Sequence, residues 1–436
     1  MLRHFIETKK FIDEKHFEGP LYGLHKIGDN TWPNLIGMFT GLDLEGVEKT
    51  IPDSRKLDNV PLIFKEFSAA GYMNTYIENM PNFGLWTYHW KNGFIHQPIE
   101  YWMRPVNILV FKELQRHYCY KEKLEMELYF DYLIDQMLAF RQRDQHFLSI
   151  VHMASVTHDF LNYAQYADMP VLRFLKRVYE HHLNSNTVIV FYSDHGLRMG
   201  PVMVTESGYH ESRLPFMYFS IPLSLKLKDE NGKAIGETQI RQTLRLNARR
   251  LTSQFDVHAT LRHLLLGQPP PRTTADEPYG RSLFTAIPLN RTCQEAGIPD
   301  EFCLCHPFTE LANRETVSAL ANFMVDLLNE KLQKYAYKCV PLSLVTVLKA
   351  KIAADLTNDG KPKMRQFLLR IVTAPNTGTV EMAFKALADA SGRLVDGTKT
   401  AKAVSGVLRL DQYWQQSICV ANTAVESICY CRNLIK

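Results

Sequence analysis

No stretch of this chain stays apolar for the roughly 18 residues that a membrane-spanning helix requires. The first residues, MLRHFIETKKFIDEKH, lack the apolar core of a secretory signal and read as a charged amphipathic stretch. An excess of one charge is also missing: Lys+Arg of 50 against Asp+Glu of 46 leaves +4, mixed along the sequence. That excludes the basic stripe that phosphate-backbone binding needs, so no nucleic-acid partner is expected. Internal repeats and low-complexity tracts are absent. With 46% hydrophobic and 22% charged residues, the 436-residue chain is neither disordered nor collagen-like. Cysteine is scarce at the front, where Cys119 stands alone in the first 292 residues. It is dense at the back, where Cys293, Cys303, Cys305, Cys339, Cys419, Cys429 and Cys431 crowd together.

The length allows about three units of ~150 residues, or one large α/β domain with an appended part. The first two-thirds alternates short β-rich runs with helical patterns, as an α/β sheet does. HFLSIVHMAS (146–155), TVIVFYS (187–193) and LPFMYFSIP (214–222) read as strands. VLRFLKRVYEHHL (171–183) and SQFDVHATLRHLLLG (253–267) read as helices, the second with Ser253 as N-cap and Gly267 at its end. GQPPPRTTADEP (267–278) reads as a linker or surface loop. Beyond it the composition changes: a cysteine cluster at 291–308, a helix near 315–335, and from about 364 runs such as MRQFLLRIV and SGVLRL that suggest a small antiparallel sheet.

Open parallel sheets place ligands at the carboxyl ends of their strands. Asp194-His195-Gly196 sits there, directly after TVIVFYS. Carboxylate and imidazole suit a divalent ion, although the same residues also suit a polar turn closing a strand. In GDNTWPN (28–34), Thr31 has two readings. It is a helix N-cap with Pro33 in the first turn, or a nucleophile whose alkoxide is stabilised by a metal and by N–H groups at a helix start.

Taken in order, NTWPNLIGMFTG, SVTHD, FYSDHGLRMG, GYHESRLPF and TSQFDVHATL resemble the alkaline phosphatase-like superfamily. More closely, with YIENMP (76–81), YWMRP (101–105), the RTC…C-x-C cluster and the cysteine-rich end, the chain resembles a sulfatase-like animal family known as domain of unknown function 229. The resemblance implies an alkaline phosphatase/sulfatase-like three-layer α/β sandwich with a mostly parallel central sheet over 1–285. A cysteine-rich α+β portion follows over 286–436. It implies Thr31 as nucleophile, with Thr31, Asp194 and His195 holding a divalent metal (Zn, Mn or Ca). His158 falls where the superfamily often has a histidine facing the metal or the leaving group, with a loop or core histidine as the alternative. Asn34, Arg198 and His210 are substrate-side candidates. Arg198 is equally suited to a surface salt bridge, and His210 to a structural role. Asp256 and His258 have D-x-H spacing, but in the sulfatase-like pattern this Asp belongs to a helix start.

Two departures bear on activity. Sulfatases convert a Cys or Ser in a C/S-x-P-x-R setting to formylglycine. Here Thr31 stands in that place with Leu35 where the Arg belongs, and Thr cannot yield the aldehyde. Phosphoryl chemistry therefore fits better than sulfate-ester hydrolysis. The family pattern also begins with a strand ending in a metal-binding Asp. That strand is not found here, and Asp13, Asp29 and Asp43 do not replace it. The readings are thus a metal-dependent hydrolase or transferase of phosphate esters, a non-catalytic extracellular binding protein on the same scaffold, and a sulfatase-like enzyme. The expected partner is a phosphorylated or sulfated small molecule or glycan. The seven late cysteines fit a disulfide set better than a zinc site, and Asn290-Arg291-Thr292 is an N-glycosylation sequon. Both point to an extracellular or lumenal setting.

Overall fold

Two β-rich runs, Met73–Glu78 (β1) and Phe147–His152 (β2), pair in parallel along their whole lengths, from Met73 opposite Phe147 to Glu78 opposite His152. Tyr101–Trp102 pairs in parallel on the other edge of β1. The computed structural model describes residues 2–87, 91–114, 118–120, 122–271, 279–305, 307–354, 361–421 and 423–434. Residues 272–278 of the expected linker lie outside them.

A parallel sheet must be covered on both faces, and successive strand residues alternate between those faces. Tyr76 joins a core with Leu35, Phe39, Phe64 and Trp86, so one face is covered by the helix Thr31–Thr40 (α1) and its neighbours. Its successor Ile77 joins Val110, Leu114 and Tyr129, so the opposite face is covered in part by the helix Glu125–Gln142 (α2). The layers are helix, sheet, helix. Burial of each fully enclosed apolar side chain contributes about 1.5–3 kcal/mol, as an upper estimate.

The helix Asp168–Glu180 (α3) buries Val171, Leu172, Leu175 and Val178, a 3.6-residue stripe. The strands Ile189–Tyr192 (β3) and Met217–Ser220 (β4) run antiparallel and form a separate two-stranded sheet. The helix Gln254–Leu266 (α4) starts where the Ser253 N–H donates to Asp256 Oδ2 (2.8 Å) and stops at Gly267, whose φ of 71° is left-handed.

Contacts divide the chain into two compact units, one of residues 1–197 and 214–297, the other of 198–213 and 298–436. The compositional change after 285 and the packing boundary after 297 are therefore different features. In the second unit the strands Ser343–Ala353 (β5), Lys363–Ala374 (β6) and Gly378–Ala388 (β7) form an antiparallel sheet. SGVLRL adds only Leu408–Arg409 against β7. Phe367, Leu369 and Ile371 pack with Leu320, Met324 and Leu328 of the helix Arg314–Leu332 (α5). Between them in sequence, Leu368 packs with Tyr209 from the 198–213 segment. Arg213 and Arg370 both bind Glu381, at 3.0 and 2.7 Å, with all three side chains buried. Those contacts explain why 198–213 belongs to this unit.

Cys339–Cys429 and Cys419–Cys431 are disulfides, and Cys293 and Cys303 are disulfide-bonded. Cys305, expected in that set, is instead a thiol whose pKa is raised by burial. Among the seven late cysteines Cys305 is the one outside a disulfide, and Cys119 is likewise a thiol. The Cys305 sulfur lies within 4.8 Å of those of Cys293 and Cys303.

Candidate functional site

Thr31 is the first residue of α1, but it does not cap the helix. Asn30 does, its side chain accepting from the Trp32 N–H at 3.2 Å. The Thr31 hydroxyl is thereby released from capping. Its oxygen lies 3.4 Å from His195 Nε2, whose lone pair can accept its proton, and the hydroxyl is near enough to Asp194 to help hold that carboxyl low. The start of a ten-residue helix also presents positive partial charge to an anion, although the Trp32 N–H is taken by Asn30 and Pro33 has none.

The loop before Thr31 is fixed by packing and by one amide. A Cβ on Gly28 would lie 2.2 Å from Pro33 Cβ and Cγ, so only glycine fits there. Asn34 is fully buried. Its Nδ2 donates to the Gly28 and Asn30 carbonyls (2.9 and 2.8 Å), and its Oδ1 accepts from Ile27 N–H (2.8 Å). With its amide wholly engaged, Asn34 positions the loop rather than facing a substrate, contrary to the expectation from sequence.

Asp194 and His195 follow β3 directly. The Asp194 main chain is held by Gln254 at the start of α4, whose Nε2 donates to its carbonyl at 3.2 Å. Burial pushes the Asp194 carboxyl up, yet His195, His152, the Thr31 hydroxyl and the His195 N–H together hold it below the usual carboxylate range. His195 Nδ1 lies 2.7 Å from the Gly196 carbonyl, which can only accept, so Nδ1 carries a proton. In the neutral ring Nε2 then bears a lone pair, 3.3 Å from Asp194 Oδ2. That oxygen is buried and makes no hydrogen bond. Two electron-rich atoms facing one another at that distance suit a shared cation, and the donor set of oxygen and nitrogen fits a divalent metal.

Two residues that sequence reasoning missed lie beside Thr31. Glu78 and His152 end β1 and β2 opposite one another, and both line a small pocket with Thr31, Met80, Phe83, Ala154 and His158. Burial pushes Glu78 up to about 8, against the Leu85 N–H (2.8 Å to Oε1) and the Arg104 and Lys91 cations, which pull it down. Burial also lowers the His152 imidazole, opposed by Asp194 and aided by His158. The rule that strand ends carry ligands would have found both, had it been applied to 73–78 and 146–152 as it was to 187–193. The 152–158 loop is anchored by Asn79, whose Oδ1 accepts from Ala154 N–H (2.8 Å) and whose Nδ2 donates to Glu125 (2.6 Å).

His158 lines the pocket, with Nδ1 2.6 Å from Asp159 Oδ1. Arg198 and His210 belong to the second unit, where His210 Nδ1 sits 2.9 Å from the Glu206 carbonyl. Asp256 is engaged at the start of α4 and by Arg291, and His258 Nδ1 lies 3.2 Å from the Met38 carbonyl. Asn290 is exposed.

A family model described as "Protein of unknown function (DUF229)" matches residues 1–348. No curated protein matches the chain. Among solved structures, a protein of the alkaline phosphatase superfamily from Vibrio parahaemolyticus is 10% identical, with 97% of this chain and 82% of that one covered and a TM-score of 0.42. A phosphonate monoester hydrolase from Silicibacter pomeroyi is 12% identical over 86% and 82%, with a TM-score of 0.40. The lipoteichoic acid synthase LtaP from Listeria monocytogenes is 11% identical over 60% of this chain, at a TM-score of 0.39, and the chain spans 65% of that structure. No helix among the described residues is long and apolar enough to cross a membrane.

Proposed function

This chain belongs to the DUF229 family, and from that premise we propose that it is a metal-dependent hydrolase or transferase of phosphate esters. Thr31 is its nucleophile. The observation that carries this reading is the release of the Thr31 hydroxyl from helix capping by Asn30, which leaves it directed at Asp194 and His195. Asp194, His195 and the Thr31 oxygen hold the metal, which would supply Lewis-acid polarisation and lower the hydroxyl pKa when bound. The protein's own contribution is positional. His195 orients the hydroxyl, the Gly196 carbonyl fixes the His195 tautomer, and the positive end of α1 attracts the anionic ester. His158 stands on the leaving-group side. Phosphorylated small molecules or glycans are the substrate class. Disulfides and the exposed Asn290 sequon support an oxidising, lumenal or extracellular setting.

One observation favours the second reading, a binding protein without catalysis. Among the described residues, groups of three or more His, Cys, Asp or Glu with converging ligand atoms consist of cysteines alone. Metal analysis of the purified protein, with a panel of phosphate diesters, phosphate monoesters and sulfate esters, separates the two. A bound divalent metal and phosphate turnover that is lost in Thr31→Ala support the enzyme. Metal-free protein with equal background in both forms supports the binding protein.

A further inference from the structure

The pocket beside Thr31 is lined by apolar side chains as well as polar ones. Of its lining residues, Met80, Phe83 and Ala154 offer only apolar side-chain atoms. Phe83 stacks on the His158 ring, with centroids 6.1 Å apart and planes 21° from parallel, yet Phe83 keeps 45% of its surface exposed. Both rings are set in place before any ligand arrives. Phe83 closes the short turn Pro81–Phe83, in which Pro81 is buried and its carbonyl accepts from Arg104 Nη1 at 3.0 Å. His158 is tied by Nδ1 to Asp159 Oδ1 at 2.6 Å and by its main-chain N–H to the Ala154 carbonyl at 2.9 Å.

A phosphoryl group is recognised by N–H groups, cations and metals, none of which Phe83 supplies. A solvent-facing ring within the same pocket as the nucleophile therefore recognises what the phosphoryl group is attached to. Aromatic rings prefer offset-stacked partners, and Phe83, backed on one face by the His158 ring, keeps exposed ring surface for another. Resting on the phosphate-ester reading, we infer that Phe83 and His158 form a preformed subsite for the group esterified to the phosphate. The substrate class is then phosphate esters in which that group carries a flat aromatic ring. Phe83 is a specificity-determining residue and takes no part in the chemical step.

The test compares benzyl and methyl phosphodiesters, whose alcohols are of nearly equal leaving-group acidity, on the full chain loaded with divalent metal. The wild type is expected to prefer the benzyl ester in kcat/KM. In Phe83→Ala that preference falls by roughly three- to ten-fold, the range one aromatic stack supports, mainly through KM. Phe83→Tyr, which keeps the ring, restores it. An unchanged preference in a folded Phe83→Ala overturns the inference while leaving Thr31-dependent turnover intact. If no ester is turned over, the phosphate-ester reading fails on its own. Equilibrium binding of benzylphosphonate against methylphosphonate then decides the subsite. An aromatic preference that Phe83→Ala abolishes supports it, and equal binding of the two phosphonates overturns it.

Discussion

Replacing Asp256 tests whether the D-x-H at 256–258 belongs to the fold or to a metal. Asp256 is fully buried and receives four hydrogen bonds: Ser253 N–H (2.8 Å), Arg281 N–H (2.8 Å), Arg291 Nη1 (2.8 Å) and Arg291 Nη2 (2.9 Å). The Arg291 pair is bidentate, and its guanidinium is 1% exposed. Asp256→Ala leaves that cation buried against the Tyr279 and Leu251 carbonyls alone. Removing one partner of a buried pair costs about 3–5 kcal/mol. At about 2–4 °C per kcal/mol for a unit of this size, the melting temperature should fall by about 6–20 °C. Arg291→Met should cost a similar amount. The double variant Asp256→Ala/Arg291→Met should be more stable than the sum of the single changes implies, by at least about 2 kcal/mol, because no charge is then stranded. Calorimetry and denaturant unfolding read these values. Metal content of the folded fraction should be unchanged in Asp256→Ala. A melting shift below about 2 °C together with lost metal would refute the structural assignment and make Asp256 a ligand.

Three further outcomes follow from the same geometry. Burial, with Arg262 adding to it, pushes the His258 imidazole down to about 4. Below its ordinary pKa of ~6.5 the unfolded chain takes up a proton that the folded one refuses, so stability should decline as pH falls from about 6.5 to about 4. His258→Gln should flatten that slope in denaturation midpoints, and an unaltered slope would count against it. Gly28→Ala should lower any Thr31-dependent kcat/KM by on the order of 100-fold with unchanged circular dichroism, since the new Cβ displaces Pro33 and with it the nucleophile loop. The Cys339–Cys429 disulfide closes 90 residues and Cys419–Cys431 closes 12. Loop-closure entropy then predicts losses of about 4.5 and about 3 kcal/mol for the paired Ala variants, an order that reduction-resistant unfolding measurements check.

Much of the fold was legible because its signals are local. The stripe Val171, Leu172, Leu175, Val178 fixes α3 by its period, and Ser253 and Gly267 mark both ends of α4 by their capping chemistry. TVIVFYS and LPFMYFSIP each contained a strand. Their antiparallel pairing in a separate sheet was not legible, since neighbour identity depends on contacts between distant segments. The membership of 198–213 in the second unit was hidden for the same reason. It rests on Arg213 meeting Glu381 across 168 positions, and no local pattern announces a buried ion pair. Cys305 could be excluded from pairing only by the three-dimensional placement of the other cysteines.

The site divides along the same line. Asp194 and His195 became candidates because a strand end is recognisable from one short run, whereas Glu78 and His152 become candidates only by standing opposite one another across β1 and β2. For Thr31 the sequence left capping and nucleophilic attack in balance, because Asn30 and Thr31 are both good capping residues. A helix start has one N-cap position, and Asn30 fills it with a 3.2 Å hydrogen bond. The Thr31 hydroxyl then needs another partner, and it finds the His195 imidazole at 3.4 Å, beside Asp194. If Asn30→Ala shifted the capping duty to Thr31, the hydroxyl would turn toward the α1 N–H groups and away from Asp194. Asn30→Ala should therefore lower Thr31-dependent turnover, while Asn30→Asp, which keeps the cap, should preserve the hydroxyl's direction. Equal turnover in Asn30→Ala and the wild type would show that capping does not decide where Thr31 points.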